Sequence, residues 1–437
     1  MTYQEAVEYL YTQTPLFQNV GQEAYKEGLY NTVTIDRHLG CPHKLFKTIH
    51  VAGTNGKGSV SHTLATILQA SGLKTGLYTS PHLTDFRERI RVNGKPVSPQ
   101  FVVSFIEKNR EFLEPLHPSF FEVTTAMAFS WFAEQEVDVA VIETGLGGRL
   151  DCTNIITPVL SVITNIGFDH MKFLGDTLSG IAYEKAGIIK KNVPVIIGED
   201  QPETRTVFER KAEEMGTKII FAQDNCKIIS HKYVNPSKVV YETAALPALE
   251  SGLAGLCQEK NANTILTAVD ELARKRFNIP EAAIRKGFKD VCRMTGLRGR
   301  WQIVGKKPDI ICDTGHNSHG LKYIAQHLEE LSSKPGFGQL RIVMGMVNDK
   351  DVTDVLALMP RNAKYYFTQA SVKRALEASV LKEMAQKAGL TGRIYSNVPL
   401  AVAAAQREAA PEDLIFVGGS TFVVADLLSM PDFFIQG

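Results

Sequence analysis

Residues 53–59 form a glycine-rich string with the residue types that bind phosphate groups. The apolar residues 48–52 before it predict a strand, and apolar residues at helical spacing after it predict a helix. Glycines in such a turn let backbone N–H groups approach phosphate oxygens, and the helix N-terminus favours negative charge. Lys57 can reach the outer phosphates. We therefore predict a nucleotide-binding loop, although Val51 occupies the position of the first Walker glycine.

Polar residues follow three further predicted strands, at the point where each apolar run ends. Ser80 follows the first, Glu143 follows the second, and Asn165, Asp169 and His170 follow the third. Ligands of parallel α/β sheets gather at the carboxyl ends of strands, so these side chains are candidates for one site. A carboxylate such as Glu143 beside a phosphate loop can hold Mg²⁺, which prefers oxygen ligands. A helix cap or loop carboxylate is the alternative for Glu143, and a packed or hydrogen-bonded imidazole is the alternative for His170.

Several basic residues have no clear assignment from their pattern. Lys185 lies in a predicted helix, where a solvated surface lysine is the ordinary interpretation. Arg87, Arg89 and Arg91 alternate along a predicted hairpin over residues 86–98, which would place them on one face. That face suits a polyanionic substrate and equally suits a solvated surface.

Strand and helix patterns alternate along most of the 437 residues, which predicts an α/β fold of two domains. We expect a mostly parallel sheet domain containing the phosphate loop over residues 1–296. A smaller Rossmann-like α/β domain should follow over residues 297–437, without a G-x-G-x-x-G string after its first strand.

The composition is that of a globular protein, with 44% hydrophobic and 22% charged residues. A formal net charge of +1 argues against nucleic acid or an anionic membrane as a partner. The six cysteines are scattered without a C-x-x-C pair, which favours reduced thiols in a cytoplasm over a disulfide frame or zinc site. Residues 2–5 read as a helix capping box rather than a targeting segment.

Four strings together resemble the folylpolyglutamate synthase/dihydrofolate synthase family of the ATP-dependent Mur ligase superfamily. They are residues 50–59, 79–83, 143–151 and 168–170. The resemblance covers nearly the whole chain and is to a bacterial bifunctional enzyme of this family. It implies a monomeric two-domain ligase that binds ATP between its domains and takes L-glutamate, dihydropteroate and reduced folates as substrates.

The resemblance also implies site residues. Those expected at ATP are Asn55, Gly56, Lys57, Gly58, Ser59, Asn261, Arg300 and Asp313. Those expected at the pterin are Phe121, Glu122, Val123, Thr124, Leu150, Asp151 and Cys152, where Cys152 replaces the more familiar alanine. Ser80 and Glu143 would hold one Mg²⁺, and His170 would bind a second. Lys185 would be carbamylated at the metal site. Lys57, His170 and Lys185 would act in catalysis. A monovalent cation would be a further cofactor.

The expected chemistry is amide formation through an acyl phosphate, with no protein nucleophile. A cell-wall Mur ligase acting on a UDP-linked sugar is one rival, but only 52 residues precede Gly53, too few for its nucleotide-sugar domain. A regulatory P-loop NTPase without ligase activity is the rival from another class.

Overall fold

The computed structural model describes residues 1–14, 28–348 and 352–430. The chain folds into two compact units that interleave in sequence. The first unit consists of residues 1–231, 240–252 and 259–297, and the second of residues 232–239, 253–258 and those from 298 onward. The two short segments of the second unit were not indicated by the sequence pattern.

The first unit is built on an eight-stranded sheet. Its strands are β1 (Lys47–Ala52), β2 (Thr75–Tyr78), β3 (Ile90–Val92), β4 (Lys95–Pro96), β5 (Val139–Glu143), β6 (Leu160–Ile163), β7 (Val195–Ile197) and β8 (Ile219–Phe221). Their order is β4-β3-β2-β5-β1-β6-β7-β8, parallel from β2 to β8 and antiparallel at β3 and β4. Every residue of β2, β5, β6 and β7 is buried, as expected for a parallel sheet covered on both faces.

Helices cover this sheet. They are α1 (Tyr3–Gln13), α2 (Tyr30–His38), α3 (Lys57–Ala70), α4 (Pro99–Leu113), α5 (Phe120–Glu134), α6 (Met171–Leu174), α7 (Leu178–Ala186), α8 (Pro202–Glu214), α9 (Gln258–Arg274), α10 (Glu281–Lys289) and α11 (Val291–Thr295). One apolar cluster joins α1, α4 and α5 to β2 and β5, and another joins α7 and α8 to β6 and β7. The capping box predicted at residues 2–5 is confirmed, since Thr2 and Glu5 bond reciprocally at the start of α1.

Two further sheets follow along the chain. The smaller contains β9 (Ile228–Asn235), β10 (Lys238–Thr243) and β11 (Leu249–Ser251). The larger has six strands and forms the centre of the second unit: β12 (Gln302–Gly305), β13 (Asp309–Cys312), β14 (Leu340–Met344), β15 (Ala363–Phe367), β16 (Gly392–Ile394) and β17 (Leu414–Gly418). The order of the larger sheet is β12-β13-β17-β14-β15-β16, and within it only β12 is antiparallel to its neighbour.

Alternating residues of the six-stranded sheet enter two different apolar clusters. Ile311, Ile342 and Phe416 pack with α12 (Ser318–Ser332), α13 (Val352–Leu358) and α14 (Ala378–Lys387). Their neighbours Ile310, Val343 and Ile415 pack with α15 (Val398–Glu408) and α16 (Thr421–Leu428). This period of two places helices on both faces of the sheet, and the predicted α/β fold class is confirmed.

The predicted hairpin over residues 86–98 is correct only in part. β3 and β4 pair around Asn93 and Gly94, but Phe86–Arg89 is a 3₁₀ helix capped by Asp85. Side chains in a 3₁₀ turn repeat every three residues rather than every two. The expected common face of Arg87, Arg89 and Arg91 therefore does not form.

No helix in the described part of the chain is long and apolar enough to cross a membrane. All six cysteines are described, and none of them forms a disulfide.

Candidate active site at the strand ends

The phosphate loop follows β1, as the sequence predicted, and leads directly into α3. Gly53 and Gly56 have φ angles of +145° and +83°, in the region that favours glycine. A Cβ at Gly53 would lie 1.8 Å from Thr164 Oγ1, and one at Gly56 would lie 2.3 Å from Asn261 Oδ1. The loop therefore requires glycine at both positions, because Thr164 and Asn261 pack against its backbone.

Asn165, two residues after the end of β6, supports the phosphate loop from the neighbouring strand. Asn165 accepts a hydrogen bond through its backbone O from Thr54 N, and through its side-chain Oδ1 from Asn55 N, both at 2.9 Å. Its Nδ2 donates to Glu199 Oε1 at 3.2 Å. This strand-end residue thus fixes the conformation of the phosphate loop.

Two lysines donate to the same backbone carbonyl. Lys57 Nζ lies 2.9 Å from Gly53 O and 3.1 Å from Thr54 O, and Lys185 Nζ lies 2.9 Å from Gly53 O. Lys185 is 4% exposed, so the ordinary interpretation of a solvated helix lysine is wrong. Burial, assisted by the neighbouring charge of Lys57, lowers the pKa of Lys185 to about 7. An unprotonated amine is therefore accessible at Lys185 near neutral pH.

Ser80 and Glu143 meet at the ends of β2 and β5. Glu143 is 3% exposed, and its Oε2 accepts a hydrogen bond from Ser80 N at 3.2 Å. The adjacent hydroxyl of Thr144 is buried and has no hydrogen-bond partner among the described residues. A carboxylate and two hydroxyl groups are hard oxygen donors, which fits Mg²⁺.

No group of three or more His, Cys, Asp or Glu side chains arranged to hold a metal ion occurs in residues 1–14, 28–348 and 352–430. A magnesium ion here would therefore take its remaining ligands from phosphate oxygens, hydroxyls and water. This is the usual mode for Mg²⁺ at nucleotide sites.

His170 immediately precedes α6 and has a left-handed backbone with φ of +52°. Its N–H donates to Asp169 Oδ1 at 2.9 Å, and its Nε2 lies 3.9 Å from the same oxygen. The His170 side chain is 30% exposed, whereas that of Asp169 is 7% exposed. The imidazole is therefore partly open to solvent.

The residues predicted at the pterin differ in their surroundings along α5. Glu122 is 3% exposed and accepts a hydrogen bond from Ser119 N at 2.6 Å in a capping box. Val123 belongs to the apolar core, and Thr124 is fully buried, with its hydroxyl 3.0 Å from Tyr78 OH. Only Phe121 among these four keeps partial exposure. Direct contact of the other three with a substrate stays a prediction.

The carboxylate of Asp151, like that of Glu122, accepts hydrogen bonds from nearby backbone N–H groups. Its Oδ2 accepts from Gly145 N and Leu146 N at 2.8 Å each, and its Oδ1 accepts from Thr153 N at 3.0 Å. It thus holds the loop after β5 in place, while its neighbours Leu150 and Cys152 are partly exposed. The structure gives Asp151 a supporting role that its residue type alone did not reveal.

Arg300 and Asp313 belong to the second unit. Asp313 accepts hydrogen bonds from Trp301 N at 2.7 Å and Gly315 N at 2.8 Å, and burial raises the pKa of its carboxyl group. Arg300 donates to Gly299 O at 3.2 Å and to the Thr314 hydroxyl. Their contact with a nucleotide stays a prediction.

Two pairs of hydrogen-bonded side chains were missed by the sequence analysis. His50 Nε2 lies 2.8 Å from Thr153 Oγ1 beneath the loop after β5, and Arg89 Nε donates to His82 Nδ1 at 2.7 Å beside Ser80. His82 follows Ser80 by two residues, so the strand-end rule could have included it. No local signal marks His50, which lies inside β1.

Comparisons with known proteins decide the family. The Mur ligase middle domain matches residues 51–268, and the Mur ligase, glutamate ligase domain matches residues 299–421. The dihydrofolate synthase/folylpolyglutamate synthase of Escherichia coli (strain K12) is 31% identical over 419 residues, covering 95% of this chain and 94% of that protein. The enzyme of the same name from Bacillus subtilis (strain 168) is 30% identical, covering 92% and 94%.

The chain belongs to the folylpolyglutamate synthase/dihydrofolate synthase family. It is accordingly an ATP-dependent ligase, and the resemblance found in the sequence is confirmed.

Solved structures of the folylpolyglutamate synthase/dihydrofolate synthase family share the fold. The Escherichia coli enzyme in complex with DHPP and ADP gives a TM-score of 0.82 at 30% identity, covering 98% of this chain and 97% of that one. Mycobacterium tuberculosis folylpolyglutamate synthase, solved with ADP and AMPPCP, gives 0.83 at 28% identity, covering 98% of each chain.

Proposed function

We propose that the enzyme joins L-glutamate to dihydropteroate and to the γ-carboxylate of reduced folates, using ATP. The main observation behind this proposal is the hydrogen bond of 3.2 Å from Ser80 N to Glu143 Oε2. It lies at the edge of the sheet where the phosphate loop also follows its strand. The ligands bound in solved structures of relatives also support it. The Escherichia coli enzyme was solved with DHPP and ADP, and the Yersinia pestis enzyme with AMPPNP and a Mn ion.

In this proposal the phosphate loop binds the triphosphate of ATP. Backbone N–H groups of residues 56–59, at the N-terminus of α3, would face the negative charge. Lys57 now donates to two carbonyls of its own loop, and it would exchange them for phosphate oxygens when ATP binds. Asn261, whose side chain packs against Gly56, would also contact the nucleotide.

Ser80 and Glu143 would hold one Mg²⁺, and His170 would hold a second. When bound, Mg²⁺ would supply positive charge that offsets the negative charge developing during phosphoryl transfer. The backbone N–H of Ser80 donates to Glu143 Oε2, which holds the carboxylate at the strand end beside the Ser80 hydroxyl.

The reaction has two steps. The acceptor carboxylate attacks the γ-phosphorus of ATP, which forms an acyl phosphate and releases ADP. The amine of L-glutamate then attacks the acyl carbon, which forms the amide and releases phosphate and a proton. The protein positions these groups and stabilises their charge, and it supplies no nucleophile.

We infer that Lys185 is carbamylated in the active enzyme. Its pKa of about 7 leaves a substantial fraction of the amine unprotonated, and an amine adds CO₂ to give a carbamate and a proton. The carbamate would offer oxygen atoms to a metal, where an ammonium would be repelled. Mass spectrometry of active protein should show the modification, and Lys185→Ala should be nearly inactive but partly rescued by short carboxylic acids. Fully active protein with an unmodified lysine would contradict this inference.

The metal assignment is tested by Glu143→Gln, which keeps the side-chain size and removes the charge. The apparent Mg²⁺ affinity in the ligase reaction should fall, and activity should fall with it. Glu134→Gln is the control, because Glu134 is an exposed acidic residue at the end of α5 and has no role in this proposal. If the Mg²⁺ titration of Glu143→Gln overlays that of the parent, the assignment is wrong.

The deciding experiment supplies ATP, Mg²⁺ and labelled glutamate with either dihydropteroate or tetrahydrofolate, and measures the amide product. Product from both acceptors supports a bifunctional enzyme, and product from tetrahydrofolate alone leaves a dedicated polyglutamate synthase. Product from neither, with intact ATP binding, would contradict the proposal and favour a UDP-sugar ligase. A monomeric state, a monovalent cation and a cytoplasmic location are further parts of the proposal.

A further inference from the structure

Glu199 follows the end of β7 by two residues and bonds to the residue that supports the phosphate loop. Its Oε1 accepts a hydrogen bond from Asn165 Nδ2 at 3.2 Å, and its side chain is 18% exposed. Its backbone N donates to Thr164 O at 2.9 Å, which holds Glu199 against the end of β6. A largely buried carboxylate is thus fixed beside Asn165, and the proposed reaction gives it no role.

The contact with Glu199 decides which way the side-chain amide of Asn165 faces. An amide group has a donating end and an accepting end, whereas an ionised carboxylate only accepts. Glu199 therefore takes the NH₂ end of the amide, which leaves Asn165 Oδ1 to accept from Asn55 N at 2.9 Å. With the amide reversed, Nδ2 would face the N–H of Asn55, and that N–H would lose this acceptor.

The orientation of the Asn165 amide matters because it holds the backbone of the phosphate loop. The N–H of Asn55 is bonded to Asn165, and its carbonyl accepts from the Thr164 hydroxyl. These two bonds fix the peptide groups on either side of Asn55, and with them the direction in which the N–H groups of residues 56–59 enter α3. Donors that are aligned before a ligand binds lose less freedom on binding, which raises the affinity.

Lys260 contacts the second oxygen of the same carboxylate. Its Nζ lies 2.5 Å from Glu199 Oε2, but its side chain is 48% exposed. An ion pair of this kind contributes little free energy by itself. It does restrain the carboxylate from the side opposite Asn165, so Oε1 of Glu199 stays directed at the amide.

We propose that Glu199 is a positioning residue for ATP. It orients the Asn165 amide, and Asn165 in turn holds the phosphate loop in the conformation that receives the triphosphate. This inference rests on the proposed function of the loop. Since Glu199 acts through Asn165 rather than on the reacting groups, its removal should affect the binding of ATP and not that of the acceptor.

The test is a mutant cycle of Glu199→Ala, Asn165→Ala and the double variant, followed by steady-state kinetics of amide formation. In Glu199→Ala the KM for ATP should rise about 10-fold, with turnover at saturating ATP and the acceptor KM unchanged. In the Asn165→Ala background, Glu199→Ala should add nothing, because the amide that it orients is gone. An equal further rise in the double variant would overturn the proposal, since Glu199 would then act by another route.

Glu199→Gln replaces Glu199→Ala if the latter does not fold. It keeps the side-chain size, but its amide can present either end to Asn165, so the KM for ATP should still rise, by a smaller factor. An unchanged KM for ATP in both folded variants would overturn the role of Glu199.

Glu271→Ala is the matched control. Glu271 is a buried carboxylate of the first unit that also pairs with a lysine, Lys218 at 2.8 Å, and its other partner is Arg274 rather than a residue of the loop. Its KM for ATP should equal that of the parent. Parent-like kinetics of Glu199→Ala alone would overturn only this inference, whereas parent-like kinetics of Asn165→Ala and Lys57→Ala as well would overturn the proposed function of the loop.

Discussion

Two regions of the molecule surround buried basic side chains with different partners. At the strand ends of the first unit, Lys185 donates to a carbonyl and Arg89 to an imidazole, and neither has an acidic partner in contact among the described residues. In the second unit, Arg341 donates to Asp413 Oδ2 at 2.9 Å, to Tyr366 OH at 2.8 Å and to Glu408 O.

This second arrangement, which we call the Arg341 network, consists of Arg341, Asp413, Tyr366 and Glu408. Its polar groups bond to one another within the second unit. Both Arg341 and Asp413 have side chains that are 5% exposed, and Tyr366 OH also donates to Glu408 Oε2 at 2.9 Å. A buried charge with a complete set of partners stabilises one packing arrangement, whereas a buried charge with neutral partners is available to a ligand. We therefore expect substitutions in the network to change stability, and substitutions at the strand ends to change rates.

The largest effect is expected for Asp413→Asn. Removing the carboxylate leaves the buried Arg341 cation uncompensated, which should lower the free energy of unfolding by about 3–5 kcal/mol. The chain has only two tryptophans, and Trp301 lies in the second unit. Urea unfolding followed by Trp301 fluorescence in a Trp131→Phe background should show the loss.

The turnover of folded Asp413→Asn at low temperature should match that of its parent. An unchanged unfolding midpoint would show that the Arg341 network contributes little to stability, and the comparison between the two regions would fail.

Lys57→Ala should have the next largest effect, and on rate rather than stability. Losing a cation aimed at the transferring phosphoryl group costs about 3–4 kcal/mol of barrier, or about 10²–10³ in turnover. Initial rates of amide formation and a thermal melt of the same sample measure both quantities. The control is Lys190→Ala, since Lys190 also donates to a backbone carbonyl, Asn154 O at 2.9 Å, outside the loop. Parent-like turnover of Lys57→Ala would refute the phosphate-loop assignment.

His50 gives a prediction about pH. Burial lowers the pKa of His50 to about 3, while an unfolded histidine titrates near 6.5. Above pH 6.5 the imidazole is neutral in both states; between pH 6.5 and 3 only the unfolded state takes up the proton. Stability contributed by this group is therefore lost as pH falls, by on the order of 1.4 kcal/mol per pH unit.

Unfolding free energies measured at pH 7 and pH 5 for the parent and for His50→Gln would test this prediction. The variant should lose less stability on acidification than the parent. Equal losses would mean that His50 is not the group that takes up the proton.

Tyr366→Phe should have the smallest effect. It removes one hydroxyl from the Arg341 network but leaves Arg341 paired with Asp413, so we expect a loss of about 1.5 kcal/mol. The same Trp301 unfolding experiment measures it, and Tyr365→Phe, whose hydroxyl donates to Pro360 O instead, is the comparison variant. A loss as large as that of Asp413→Asn would place the hydroxyl, rather than the ion pair, at the centre of the network.

The sequence predicted the sheets and the strand-end positions well, because hydrophobic periodicity and the strand-end rule depend on local order along the chain. The predicted hairpin was less accurate, since a 3₁₀ helix occupies Phe86–Arg89. Capping and ligand binding use the same residue types, so Glu122 and Asp151 could not be told from substrate contacts. Arg89 escaped prediction because its partners, His82 and Phe120, are set by a 3₁₀ turn and by packing through space.

The interleaving of the two units limits how the protein can be cut or recombined. Residues 232–239 and 253–258 belong to the second unit, where Tyr233 lies 5.0 Å from the His327 ring and Ala254 enters the apolar core around Trp301. A fragment ending at residue 297 would keep both segments but lose the surfaces they pack on. The glutamate ligase domain is therefore not a cassette that can be exchanged between enzymes at a single junction, and a chimera would have to carry these segments along with it.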